Sequence, residues 1–117
     1  MLLEIVLDRG ANLEARDNSD STPLHKACSE RNSGLVRLLL NQGADLEATN
    51  NKGCRPLHFA AVNDFTDVAG LLLVRGAVVD ATTLAETTPL SLACQKGHVE
   101  MVWLLVRGYP WLVDGQA

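Results

Sequence analysis

Gly10-Ala11-Asn12-Leu13-Glu14-Ala15 returns almost letter for letter as Gly43-Ala44-Asp45-Leu46-Glu47-Ala48, 33 residues further on. A third copy opens at Gly76-Ala77 with the same spacing, and the prolines Pro23, Pro56 and Pro89 also lie 33 residues apart. A period of this length marks units that are each one supersecondary element, too small to bury an apolar face alone, so successive units must stack. The fold is therefore expected to be a row of modules, with its function on a surface.

Within the first unit, the stretch from Asn12 to Ser21 is rich in turn formers and leads to Thr22 and Pro23. A hydroxyl at the N-cap accepts a backbone N–H, and proline at the first helical position gives up a hydrogen bond that was not available there. Leu24, Ala27 and Cys28 follow at helical spacing, making a short helix whose small packing face lets a neighbour come close. After a break at Arg31-Asn32-Ser33-Gly34, the residues Leu35, Val36, Leu38, Leu39 and Leu40 make a second, more apolar helix stopped by Gly43. The same plan predicts helices from Pro56 to Asn63 and Thr66 to Val74, then from Pro89 to Lys96 and Val99 to Val106. Between the helices of a pair, Gly97 enters the left-handed region freely, whereas Arg31 and Asp64 must do so with a Cβ. The first two units are expected to be looser at that turn.

Thr22-Pro23-Leu24-His25, Pro56-Leu57-His58-Phe59-Ala60-Ala61, Thr88-Pro89-Leu90-Ser91-Leu92-Ala93 and Gly97-His98-Val99-Glu100-Met101-Val102 resemble ankyrin repeats over essentially the whole chain. The resemblance implies an all-α solenoid of stacked helix-turn-helix units, with projecting β-hairpin fingers and a concave groove. It also implies a binding module with no chemistry and no cofactor of its own. The units would be 11–43, 44–76 and 77–108, after the outer helix of a partial repeat at 1–10 and before an irregular tail at 109–117. The family's Thr and His pair is complete only at Thr22 and His25. Arg55 replaces the threonine of the second unit and Ser91 the histidine of the third, so each of those units is expected to lose part of the local network. The third unit is also one residue shorter from proline to glycine, and Tyr109-Pro110-Trp111 stands where a new finger would open.

A formal charge of −4 and a pI near 5.2, with the basic residues scattered, argue against nucleic acid, which requires clustered Lys and Arg. Cys28, Cys54 and Cys94 form no CxxC pair and no even disulfide framework, and no secretory leader is read before them. A reducing compartment fits, the cytoplasm first and the nucleus second. The apolar runs Leu38-Leu39-Leu40 and Leu71 to Val74 are far shorter than the roughly 20 residues of a membrane span.

Under the resemblance, two rows of side chains would face the groove and hold a protein or peptide. The fingertips contribute Arg16, Asn18 and Ser21, then Asn51, Lys52 and Cys54, then Leu84 and Thr87. The inner helices contribute Lys26 and Glu30, then Phe59, Val62 and Asn63, then Leu92, Gln95 and Lys96. Phe59, Val62, Leu84 and Leu92 would form an apolar centre within a polar rim, the arrangement that concentrates binding energy. The bland reading is that Phe59 and Leu92 pack between adjacent inner helices.

Chemical readings are weaker. His25 and Cys28 share a helix face, but two ligands without two more do not make a zinc site. Cys28 and Cys94 occupy one slot that Ala61 fills in the middle unit, which argues for volume, and leaves Cys54 as the accessible cysteine. Ser91 and His98 lie across the Gly97 turn with no carboxylate placed to orient the imidazole, so no catalytic residue is assigned. Trp103, Tyr109 and Trp111 are read as a hydrophobic seam rather than an aromatic cage. The other functional reading is a purely structural segment of a longer array or multidomain protein. Its uncapped apolar end (Val99, Val102, Leu105 and Val106) would then dock onto neighbours or self-associate.

Overall fold

Thr22, Arg55 and Thr88 each lie in extended backbone directly before a proline, and an inner helix begins at each of those prolines. The computed structural model describes residues 12–107. Within that range the helices are α1 (Pro23–Ser29), α2 (Ser33–Asn41), α3 (Pro56–Val62), α4 (Thr66–Val74), α5 (Pro89–Lys96) and α6 (Val99–Arg107). Helices α1, α3 and α5 pack on one another in order as an inner row, and α2, α4 and α6 form an outer row behind them. The expected outer helix before Asn12, and the Tyr109-Pro110-Trp111 tail, lie outside the described residues.

Local chemistry sets these boundaries. Thr22 and Thr88 accept the backbone N–H of His25 and Ser91 at 3.4 and 3.1 Å, while Asn32 Oδ1 caps α2 by accepting Leu35 N–H at 3.2 Å. Ser91 keeps more of the cap than its sequence suggests. Its Oγ accepts Thr88 N–H at 3.0 Å and donates to the Thr88 carbonyl at 2.9 Å, so the local box is complete without an imidazole.

The turns between paired helices are left-handed in all three units, with φ of 56° at Arg31, 60° at Asp64 and 73° at Gly97. Each is closed by the same bond two residues into the break, Asn32 N–H to Ala27 O, Phe65 N–H to Ala60 O and His98 N–H to Ala93 O, at 2.9 to 3.0 Å. The turns are thus bonded alike and differ in the Cβ strain that Arg31 and Asp64 carry.

Among the described residues no strand forms, so the fingers are tight turns and not paired β-hairpins. Asp17 N–H donates to Ser21 O, Asn50 N–H to Cys54 O and Thr83 N–H to Thr87 O, each at 3.0 Å. Neighbouring fingers are joined by one backbone bond apiece, Asn51 N–H to Ser19 O and Leu84 N–H to Lys52 O. Three side chains at the same slot hold the tips open: Asp17 and Asn50 Oδ1 and Thr83 Oγ1 each accept two backbone N–H groups from residues two and four further on. Gly53 (φ 76°) has a second constraint, because a Cβ there would stand 2.7 Å from Leu84 N in the next finger.

The core is one apolar layer between the rows, with Leu24, Ala27, Leu57, Ala60, Ala93, Leu39, Leu72 and Met101 almost fully buried. Each inner helix buries alanine, Ala27 in α1, Ala60 and Ala61 in α3 and Ala93 in α5, whose short side chains allow the backbones to approach.

Candidate protein-binding surface

His25 and His58 connect the inner helices to the fingers of the following units. Thr22 N–H and Oγ1 both lie 3.0 Å from His25 Nδ1, and since a backbone N–H can only donate, Nδ1 is the acceptor and Nε2 carries the proton. That proton goes to the Cys54 carbonyl at 2.8 Å, across to the second finger. His58 repeats the arrangement, accepting Arg55 N–H at 2.9 Å and donating to Ala81 O at 3.0 Å and Thr87 O at 3.2 Å. Ser91 is too short for this reach, and that is the part of the network the third unit lacks. With both ring nitrogens of His25 engaged, the imidazole is committed to the scaffold.

Burial pushes the pKa of both histidines below the ordinary value of about 6.5, more than their carbonyl partners raise it. A group whose folded pKa is depressed leaves the unfolded chain holding more protons just below 6.5, so stability is full above that pH and falls as acid is added. The urea midpoint is expected to be flat from pH 8 to 7 and to drop between 6.5 and 5.5. His25→Gln or His58→Gln should each reduce that drop, and a flat profile to pH 5.5 would refute the neutral assignment. Asp17 acts in a lower window. The Ser21 N–H on its carboxylate holds its pKa below the usual range, so its contribution is lost only near pH 4 and under.

The expected contact residues divide into scaffold and free surface. Arg16 belongs to the scaffold, its Nη1 donating to Thr49 O at 2.6 Å and Asp20 O at 2.9 Å and so tying the first two fingers. Ser21, Cys54 and Thr87 are half-buried at the closing ends of the fingers, with their backbone N–H groups held by Asp17, Asn50 and Thr83. Asn18, Lys26, Glu30, Asn51, Lys52, Gln95 and Lys96 are exposed, and so is Asn63, whose Nδ2 donates to Phe59 O. Phe59, Val62 and Leu92 are half-buried. The Phe59 ring stands edge-on to His25, centroids 5.4 Å apart and planes at 80°, so part of it packs between units and part stays open. Leu84 is 77% exposed at its fingertip. A hollow of about 130 Å³ between the first finger and the inner row is lined by Asp17, Ser21, His25, Lys26, Ser29 and Phe59.

Three expectations are corrected. Cys94, not Cys54, is the exposed cysteine, while Cys54 is half-buried with its thiol pKa raised by that burial. Slots 28, 61 and 94 read buried, buried, exposed, because another inner-row helix stacks on each of the first two and, among the described residues, no inner-row helix stacks beyond α5. At Cys28 burial pushes the thiol up to about 12, which makes it inert. Leu105 is buried against the core and does not belong to the uncovered apolar end, where Val99 and Val106 are exposed and Val102 is half-buried. A carboxylate does face His98: Asp64 Oδ2 lies 3.8 Å from Nδ1, while Nε2 bonds Val62 O at 3.1 Å. Both contacts join the second unit to the third, which is a structural role.

Two residues were missed in the sequence. Glu14 Oε2 accepts Asp45 N–H, and Glu47 Oε2 accepts Val78 N–H, each at 2.8 Å, one unit onward. Glu47 also holds Arg55 Nη1 at 2.9 Å, so the arginine that replaces a capping threonine is anchored to the base of the finger before it. The signal was present, since the glutamate is copied without change in the opening repeat, where only Asn12 and Asp45 differ.

A family model for ankyrin repeats in three copies matches residues 1–83, and a single ankyrin repeat model matches residues 86–114. No curated protein matches the chain. Ankyrin repeats are in general modules for protein–protein interaction and typically act as non-enzymatic scaffolds. Among the described residues no helix is long and apolar enough to cross a membrane, and no three His, Cys, Asp or Glu side chains cluster as metal ligands would.

Proposed function

The chain belongs to the ankyrin repeat family, and from that premise we propose that it is an interaction scaffold that binds a protein or peptide along its fingertips and inner helices. The observation that carries this reading is the division of the surface between two sets of residues. The slots that hold the stack together, His25 and His58, Glu14 and Glu47, and Asp17 and Asn50, are repeated and internally bonded. The neighbouring slots change from Lys26 to Phe59 to Leu92 and from Asn51 to Leu84, and in the family's architecture the apolar residues would form a centre with Lys52, Glu30, Asn63 and Lys96, all exposed, around it. Such an arrangement puts contact energy in the middle of a wetted rim. Three thiols free of disulfides support a reducing compartment, the cytoplasm or nucleus.

A peptide-display selection against the folded chain tests the reading. Ligands so obtained are expected to lose about tenfold or more in affinity with Phe59→Ala and to be unaffected by Arg37→Ala on the outer row. Affinity unchanged by Phe59→Ala, in a variant of lowered stability, would reduce Phe59 to packing. The exposed Val99 and Val106 favour a second reading, a structural segment whose end docks onto neighbouring units. Contacts confined to that end would select it.

A further inference from the structure

One slot of the outer helices breaks the regularity of the stack. It holds Arg37 in α2, Gly70 in α4 and Trp103 in α6. A glycine inside a helix is about 1 kcal/mol less favourable than alanine. Here it also removes the side chain that would separate α4 from the large ring of Trp103. The result is a groove of about 580 Å³ between the two helices, with Leu71, Val74, Val99 and Leu104 among its apolar walls. Val74 and Val99 are exposed and Trp103 is half exposed. That volume falls within the range of sites that bury a ligand.

The charges at its edge determine what can enter. Asp67 and Glu100 line the groove and, among the described residues, no basic residue does. Asp67 is balanced by Arg31 at 3.3 Å, whereas Glu100 makes no ion pair among the described residues. Arg107 is drawn onto the Trp103 ring, 4.4 Å from its centroid, which fixes the indole and leaves the cation outside the groove lining. A second copy docked face to face would set Asp67 and Glu100 against their own images.

We propose that this outer groove is a second docking surface, distinct from the fingers and inner helices. Its occupant is an amphipathic helical segment of another protein that inserts bulky apolar side chains between α4 and α6 and sets a lysine or arginine beside Glu100. The probe is a synthetic peptide without tryptophan, with Leu or Phe at positions i, i+4 and i+7 flanked by lysines, compared with the same peptide carrying glutamates. The full chain with Trp111→Phe leaves Trp103 as its sole tryptophan, so binding is read from that indole's emission. The lysine peptide should shift the emission to the blue and bind more weakly as salt is raised. The glutamate peptide should bind at least about fivefold more weakly. Gly70→Leu, which fills the groove, should lose about tenfold or more. Glu100→Lys lies on an exposed position that does not endanger folding, and should reverse the preference between the peptides. Equal binding of the two peptides overturns the proposal. So does binding that survives Gly70→Leu and is lost with Phe59→Ala. A Trp103 emission that responds to dimerisation, or to deletion of 109–117, in place of the peptide would assign the groove to a second copy or to the chain's own tail, and would overturn the proposal as well.

Discussion

Alanine in place of His58 is expected to lower the unfolding free energy by about 3 kcal/mol, measured by urea denaturation at pH 7.5. The side chain is buried and serves three backbone groups at once, the Arg55 N–H and the carbonyls of Ala81 and Thr87. Deleting it leaves a donor and two acceptors without partners in a site too enclosed for solvent to repair fully, and it opens a cavity beside the third finger. Ser91→Ala provides the comparison. Among the described residues the Ser91 side chain bonds Thr88 alone, within its own unit, so its loss should cost on the order of 0.5 to 1 kcal/mol. The reasoning fails if the two variants lose the same stability, because the difference between them is the reach to the next unit.

Leu72→Ala is expected to cost about 3 to 5 kcal/mol. Leu72 is fully buried in α4, the outer helix that packs against both α2 and α6, so the cavity sits where the first unit is coupled to the third. A solenoid's stability is a sum of unit terms and nearest-neighbour terms. Damage to the middle unit should therefore broaden the urea transition as well as shift it. Leu105→Ala, at the same slot in α6, has an inner-row partner and, among the described residues, one outer-row neighbour, α4, and should cost less while keeping the transition sharp. Equal losses at 72 and 105, or an unbroadened transition for Leu72→Ala, would show that the units are not coupled through the outer row. Against a total stability of about 5 to 15 kcal/mol for a domain of this size, either loss at His58 or Leu72 is a large share.

The repeat, its helix pairs and their limits were legible in the amino-acid sequence because they depend on local chemistry that a residue carries with it. Proline after a hydroxyl opens a helix, glycine after an apolar run closes one, and a 33-residue period forces units to stack. Even the left-handed turns at Arg31 and Asp64 could be read there, since a register shared with Gly97 prescribes the backbone whatever the side chain. What lies between units could not be read in the same way. The carbonyls that His25 and His58 reach, the Glu14 and Glu47 links, the exposure of Cys94 and the burial of Leu105 all depend on which neighbour stands beside a slot. Identical slots differ in environment along a stack, because burial belongs to the pair of units and not to the residue. The same holds for the outer groove. Gly70 and Trp103 are 33 residues apart in the chain, and only the packing of α4 on α6 makes them two walls of one cleft.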